Sequence, residues 1–232
     1  MIHPIARILR YCLLSLTAMG AVAQTLPYKA QIQQIPQPLK QQMLQYTWNP
    51  RCPVPIEQLR LVTLRYWGFD HKAHQGQLVV NQDVASDVVD IFKTLYIIQF
   101  PIQRMELMEV FKGDDKGAMA MNNTSAFNCR PVTGKPGVFS QHSYGHAIDI
   151  NPQLNPYVKD DEVLPENGRT FVNRDKLIPG IITPNSQIYQ LFIQHGWQWG
   201  GDWHSLKDFQ HFEKVPTKKD NSSELPSSTQ KS

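Results

Sequence analysis

The stretch Ser140-Gln141-His142-Ser143-Tyr144-Gly145-His146-Ala147-Ile148-Asp149-Ile150-Asn151 sets a histidine, His142, seven positions ahead of an acid, Asp149, with Gly145 between them. On a continuous helix the two side chains would stand roughly 10 Å apart along the axis. On an unbroken strand their odd separation would put them on opposite faces. Neither arrangement lets both reach one small ion, so Gly145 predicts a bend, followed by a short strand from Ala147 to Asn151. Along that strand Ile148 and Ile150 share one face, fit for a core, while Ala147, Asp149 and Asn151 share the other. Asp149 is thereby aimed back at His142. Taken alone, the same residues also read as a hairpin arm with a surface acid and an ordinary histidine.

A second cluster turns the reading toward a site: Gly200-Gly201-Asp202-Trp203-His204-Ser205-Leu206-Lys207-Asp208-Phe209-Gln210-His211-Phe212. Asp208 and His211, three positions apart, share a face if the segment takes a helical turn. Joined to His142 and Asp149, His211 completes a set of two imidazoles and one carboxylate. Such a nitrogen–oxygen set suits zinc, and three protein ligands leave the fourth tetrahedral position open, as hydrolytic zinc sites require. In that arrangement Asp208 is placed to act as general base.

The pattern Ser140-x-His142-x-x-Gly145-x-Ala147-x-Asp149, followed by Trp199-Gly200-Gly201-x-Trp203 and Asp208-x-x-His211, resembles the zinc D-Ala-D-Ala carboxypeptidase and L-Ala-D-Glu endopeptidase family of cell-wall peptidases. The resemblance runs from about Gly76 to Glu213. It implies an α+β fold, a small antiparallel sheet with packed helices as in D-Ala-D-Ala peptidases and hedgehog-like domains. It also implies Zn2+ on His142, Asp149 and His211, catalysis by Asp208, and the stem peptides of peptidoglycan as substrate. Relatives divide between Glu and Asp at the position of Asp208, and the Asp resembles the endopeptidase branch. An arginine upstream of the His-Asp motif helps hold substrate and stabilise the oxyanion in the family, and Arg130 is the similar position here. Asn128-Cys129 stands where many relatives carry Gly-Tyr; a strand cap or a carboxylate partner is the other reading of Arg130.

At the start of the chain, Arg7 and Arg10 precede an apolar run from Tyr11 to Ala23 that ends Ala21-Val22-Ala23, the pattern of a secretory signal peptide. The run falls short of the roughly 20 residues a spanning helix needs. An exported protein, periplasmic or extracellular and without a stable membrane anchor, is therefore expected. The formal net charge is +3 over 232 residues, and loss of Arg7 and Arg10 brings it nearer zero. That balance argues against a dedicated nucleic-acid or polybasic membrane binder. Cys12 leaves with the leader, so in an exported protein Cys52 and Cys129 read as one disulfide, with two buried free thiols as the alternative. The organisation expected is a leader over 1–23, an N-terminal arm over 24–75 packed on the domain, the zinc peptidase domain over 76–215, and a disordered tail over 216–232. The sequence does not speak to oligomeric state.

Periodicity supplies the frame. Leu39, Met43 and Tyr46 line one face of a short helix; Leu59, Leu61, Val62 and Leu64 form an apolar segment of open type; Leu78-Val79-Val80 is a brief strand. His71 and His74 flank a turn around Gly76. Val84, Val88, Ile91, Phe92, Leu95 and Ile98 make the stripe of a core helix that Pro101 stops. Ile102–Val110 reads as a strand, and Gly113–Gly117 as a loop. Residues 152–184, punctuated by proline and glycine, read as a surface excursion that walls the site, with Tyr144 and Tyr157 as candidate contributors. Ser186 caps a helix bearing Ile188, Leu191, Phe192 and His195, and Gly196 ends it. Trp197–Trp199 is a strand feeding the second cluster. His146, His195 and His204 read as structural.

Two other function classes compete. A non-catalytic peptidoglycan-binding module could keep the fold, since fold does not fix function; Asp208 beside three ligands argues for catalysis, because a binder needs no base. A serine hydrolase on Ser140 or Ser143 lacks the Gly-x-Ser-x-Gly elbow.

Overall fold

The computed structural model describes residues 26–215, and the expected leader and tail lie outside the described residues. Strands β1 (Ala30–Gln34), β2 (Leu59–Trp67) and β3 (Ala73–Asn81) form an antiparallel sheet in that order, and helix α1 (Gln37–Tyr46) follows β1. The apolar segment of open type is thus a strand. It pairs with β3 along its whole length, from Leu59 opposite Asn81 to Trp67 opposite Ala73. The turn lies not at Gly76 but at Gly68–Lys72, where the Gly68 amide donates to Lys72 O at 2.8 Å and His71 takes a left-handed φ of 57°. Gly76 is instead a point of close approach within β3: an added Cβ would lie 2.6 Å from Met105 Cβ. α1 buries Leu39 and Met43 against Ile56, Leu61, Val79 and Phe127. The boundary expected between arm and domain at Gly76 therefore falls inside a paired strand, and both sides of it share one core.

Helix α2 (Ala85–Ile97) carries Val88, Ile91, Phe92 and Leu95 into the main core, with Val84 buried just ahead of it. Ile98 departs from the expected stripe. It occupies the C-cap and is 36% exposed, because the chain has already left the helix there. Ile102–Val110 is not a strand: its one isolated bridge is Arg104 to Asn123, after Pro101 has bridged Trp67 just ahead of it, and it ends in a 3-10 turn at Met108–Phe111. Its apolar residues recur every third position, and Ile102, Met105 and Met108 are seated in the core without a continuous partner strand. The expected loop at Gly113–Gly117 gives way to helix α3 (Asp115–Ala120), which starts once Gly113, at φ 76°, has turned the chain.

The remaining elements are short. They are β4 (Pro131–Val132), β5 (Lys135–Phe139), β6 (Ala147–Asp149), β7 (Tyr157–Lys159), β8 (Glu162–Leu164), α4 (Gln187–Gln194), β9 (Gln198–Trp199), β10 (Lys207–Asp208) and β11 (His211–Glu213). They pair antiparallel as β4-β5, β10-β7-β8 and β6-β11-β9. The class is α+β with helices on antiparallel sheet, as expected, but beyond β1–β3 the sheet is divided into small pieces of short strands. α4 forms as the sequence dictates: Ser186 Oγ accepts from the Tyr189 amide, Ile188 and Phe192 are buried, and Gly196, at φ 77°, follows the C-cap. The 152–184 excursion is braced from inside. The Arg174 guanidinium donates to Leu154 O, Phe171 O, Asn155 Oδ1 and Ile182 O and lies 4.7 Å from the Phe209 ring centroid. No helix among the described residues is long and apolar enough to cross a membrane.

Gly145 is where sequence and tertiary constraint meet. Its φ is +75°, and an added Cβ would stand 2.6 Å from Asn81 N and 3.1 Å from Val80 C. Gly134 has a similar φ of +73° but nothing within 4 Å. Gly134→Ala should therefore cost only the left-handed penalty, about 1–2 kcal/mol. Gly145→Ala should cost at least about 3 kcal/mol, since backbone at the end of β3 must also move. Urea unfolding of both variants checks this, and equal losses would show that the β3 contact carries nothing.

Candidate active site

The site is assembled by strand pairing. β11 lies against β6 with His211 directly opposite Asp149 and Phe212 opposite Ile148. Cross-strand partners of this kind hold their Cβ atoms about 4.5–5.5 Å apart on one face. His142 arrives from the other side, on a 3-10 turn (Gln141–Tyr144) whose cap, Ser140, accepts from the His142 amide through Oγ at 3.4 Å. The left-handed Gly145 then reverses the chain into β6, which is the bend the sequence required.

The three side chains converge and are buried. His142 Nε2 lies 3.1 Å from Asp149 Oδ2 and 3.2 Å from His211 Nδ1, and His211 Nδ1 lies 3.0 Å from Asp149 Oδ1. The far nitrogen of each ring has its own acceptor: His142 Nδ1 donates to Ala126 O at 2.5 Å, and His211 Nε2 to Glu213 Oε2 at 3.1 Å. These outer bonds assign the tautomers, leaving His142 Nε2 and His211 Nδ1 to face Asp149, and they fix the ring planes as metal-binding histidines require. The donor set therefore fits a small cation of the zinc type.

Charge at the site favours a cation. Burial by itself pushes the Asp149 carboxyl up, but the two imidazoles beside it outweigh this and hold it well below the usual carboxylate range. Burial likewise disfavours the charged form of His211. The hydrogen bonds to Asp149 and Glu213 overcome it and raise the ring to about 10. The metal-free chain thus keeps a proton where a cation would otherwise sit. Asp208 moves the other way: burial, then the Asp149 charge, push it up to about 6.

Asp208 and His211 are not on a helical turn. Asp208 pairs with Tyr157 of β7 while His211 pairs with Asp149 of β6, and Phe209-Gln210 makes the turn between them. Two separate strand partners win over a local helix. Both side chains nevertheless line one cleft of about 480 Å³ that also includes His142, Arg130, Tyr157 and Trp203. Asp208 Oδ1 is out of solvent contact and has no hydrogen-bond partner. Gly200 permits this packing: a Cβ there would meet Asp208 O at 2.7 Å and His211 Cβ at 3.3 Å.

Arg130 lines the cleft and pairs through Nη2 with Asp115 Oδ2 at 3.0 Å, so cleft residue and carboxylate partner are both correct descriptions of it. Its backbone is tied to the turn bearing His142. The Arg130 amide donates to Ser143 Oγ at 2.9 Å, and that hydroxyl donates to Arg130 O at 2.8 Å. Both serines weighed as nucleophiles thus hold backbone. Cys52 and Cys129 form a disulfide, which anchors the same segment to the end of α1's connection. Tyr157 belongs to the cleft and Tyr144 does not. His146 bonds Asp83, His195 Nδ1 donates to Leu191 O, and His204 is exposed, so none joins the trio.

Sequence reasoning does not reach Glu213, Ala126 or Asp115. Glu213 had a signal, its two-residue spacing from His211 on a strand, which puts both on one face. Ala126 O and Asp115 act through backbone position and long-range packing and leave no such trace.

A buried trio of metal-ligating groups at the base of a cleft, with a carboxylic acid and an arginine on its lining, defines a hydrolase type of site. Residues 133–214 match the family model described as D-alanyl-D-alanine carboxypeptidase. The match agrees with the resemblance read from the motifs, and over these residues the chain is similar to D-alanyl-D-alanine carboxypeptidases. It spans His142, Asp149, Asp208 and His211, whereas Arg130 lies ahead of it. No curated protein and no solved structure matches the chain.

Two outcomes follow from the geometry. In metal-stripped protein the His211 ring should remain protonated well above the ordinary value of 6.5, and an NMR titration should place its midpoint near 10. A folded-state pKa raised in this way contributes stability that is complete below about 6.5 and is lost as pH climbs toward 10. Metal-free protein should accordingly unfold more easily across that window, and Glu213→Gln should lower the His211 midpoint. A midpoint near 6.5 would show the trio to be arranged otherwise. For the disulfide, whose cysteines are 77 positions apart, reduction or paired Cys→Ser substitution should lower stability by up to about 4 kcal/mol. An unchanged urea midpoint under reductant would show that the link contributes nothing.

Proposed function

We propose that this protein is an exported zinc peptidase that hydrolyses amide bonds in peptidoglycan stem peptides, of the D-Ala-D-Ala carboxypeptidase or L-Ala-D-Glu endopeptidase type. The observation that carries the reading is the convergence of His142 Nε2, Asp149 and His211 Nδ1 within 3.2 Å of one another, with Asp208 on the same cleft. Export is supported by the leader pattern of residues 1–23 and by the Cys52–Cys129 bond, which suits an oxidising compartment. A hedgehog-like arrangement of the α+β fold belongs to the same reading.

His142, Asp149 and His211 would hold the ion. A zinc ion held there would supply Lewis-acid polarisation and lower the pKa of water to about 7. The other steps fall to the chain. Asp208, half-buried on the cleft with Oδ1 out of solvent contact and its carboxyl raised to about 6, accepts the proton of the attacking water and passes it to the leaving amine. Arg130 faces the developing negative charge of the scissile carbonyl, or the substrate carboxylate, from a backbone fixed by Ser143 and Cys129. Tyr157 and Trp203 flank the bound peptide.

Mass spectrometry of purified muropeptides before and after incubation tests the reaction and identifies the bond cut. Parent protein should carry about one zinc per chain, and His211→Ala should lose both metal and hydrolysis. Full zinc occupancy in His211→Ala would remove the trio from the role. Asp208→Ala should retain zinc and lose at least about 100-fold in turnover, the lower scale for a general base. Undiminished turnover, or loss of metal, in that variant would take Asp208 out of the mechanism.

A further inference from the structure

The cleft holds charge that the chemistry above does not use. Its lining includes the cations Arg130, Lys135 and Lys159 and the acids Asp208 and Glu213. Glu213 is engaged with His211, and Arg130 with Asp115. Among the described residues Lys135 and Lys159 make neither an ion pair nor a side-chain hydrogen bond, although both belong to the lining. They stand on different hairpins. Lys135 opens β5, directly after Gly134 at the tip of β4-β5, and Lys159 closes β7 at the tip of β7-β8. Both are exposed, and on separate rims of one cleft they give its mouth positive charge that no acid of the lining offsets.

The register gives the distance at which this positive charge acts. Tyr157 lies opposite Asp208 in the β7–β10 pairing, and Lys159 is two residues further along β7, on the same face as Tyr157. Two residues of strand span about 7 Å. An extended peptide covers roughly 3.3–3.6 Å per residue, so for a peptide lying along β7 Lys159 would stand beside a group about two residues from the bond that Asp208 would serve.

We infer that Lys135 and Lys159 form a carboxylate-binding rim that selects stem peptides with a free carboxylate away from the scissile bond over the same peptides with that group amidated. The inference rests on the proposed peptidase reading and adds to it the charge of the substrate. The lysines are specificity determinants and take no part in bond breaking. Their attraction is exposed to solvent, so it acts on binding, weakens with salt, and reaches only a few-fold for each pair.

The test uses zinc-loaded protein and two synthetic stem pentapeptides ending in D-Ala-D-Ala, with cleavage followed at that terminal bond; they differ only in the free carboxylate of the D-Glu residue, two residues ahead of the scissile carbonyl's residue, intact in one and a carboxamide in the other. Parent protein should prefer the carboxylate form by roughly fivefold to tenfold in kcat/KM, the scale of two partly exposed ion pairs. The preference should lie in KM and shrink as salt is raised. Lys135→Gln with Lys159→Gln should bring the ratio close to one with kcat little changed, while Lys159→Arg should keep most of it. Calorimetric binding of both peptides is measured in parallel. Equal handling of the two peptides by parent protein in hydrolysis and binding overturns the rim, as does an undiminished preference in the double variant. If neither peptide is cut yet the carboxylate form binds more tightly and the double variant loses that difference, the rim stands and the proposed reaction falls.

Discussion

The pairing of β11 on β6 is the constraint on which the site depends, because it puts His211 opposite Asp149, both buried at the base of the cleft. A carboxylate buried without partners would be strongly destabilising, and the usual escape is to take up a proton. Asp149 avoids that by lying between two imidazoles, each itself held by an outer acceptor. The same two strands send Ile148 and Phe212 into the main core. One register therefore serves packing on one face and charge compensation on the other. A slip of one residue would send the charged groups into the core and Ile148 and Phe212 into the site.

Around this pair the chain builds a polar but satisfied interior. Residues Asn122–Asn128 are all buried, and they supply Ala126 O to His142 and a backbone bridge from Ser125 to Asp149. Beyond β6, Asn151 takes a positive φ of 45° and donates to Pro101 O, while Asn155 donates to Ile150 O and Gly180 O. Arg174 then fastens the long excursion to Asn155. Such networks stabilise only when their members are paired, and here they hold irregular backbone in place of a wide continuous sheet.

This division of labour suits a site that must hold a fixed trio beneath a variable cleft. Asp149 and His211 rest on buried strands and His142 on the 3-10 turn ahead of them, where their rotamers are fixed by packing and outer hydrogen bonds. The cleft walls are the exposed β4-β5 hairpin and the excursion bearing β7, both free to vary in side chain without disturbing the trio. Arg130 sits where floor and wall join, with Cys129 tied to Cys52 and its own backbone tied through Ser143 to the turn of His142.

The sequence by itself determined the local events. Gly145 between His142 and Asp149 demands a bend, the apolar stripe of α2 demands a buried face, and Ser186 with Gly196 marks both ends of α4; each rests on conformational preferences a few residues long. His142, Asp149 and His211 were legible because metal-ligating types at those spacings fit one ion. The helical turn expected for Asp208 and His211, the strand expected at Ile102–Val110 and the turn expected at Gly76 were decided otherwise. Each was settled by a partner far away in sequence: β7 and β6 for the first, isolated bridges for the second, the full β2–β3 pairing for the third. Glu213, Ala126 O and Asp115 entered the site only through tertiary structure. The physical reason is that a strand's partner and register are chosen by burial and backbone hydrogen bonding summed over the whole chain, as in the His211–Asp149 contact across 62 positions, and no local spacing encodes that sum.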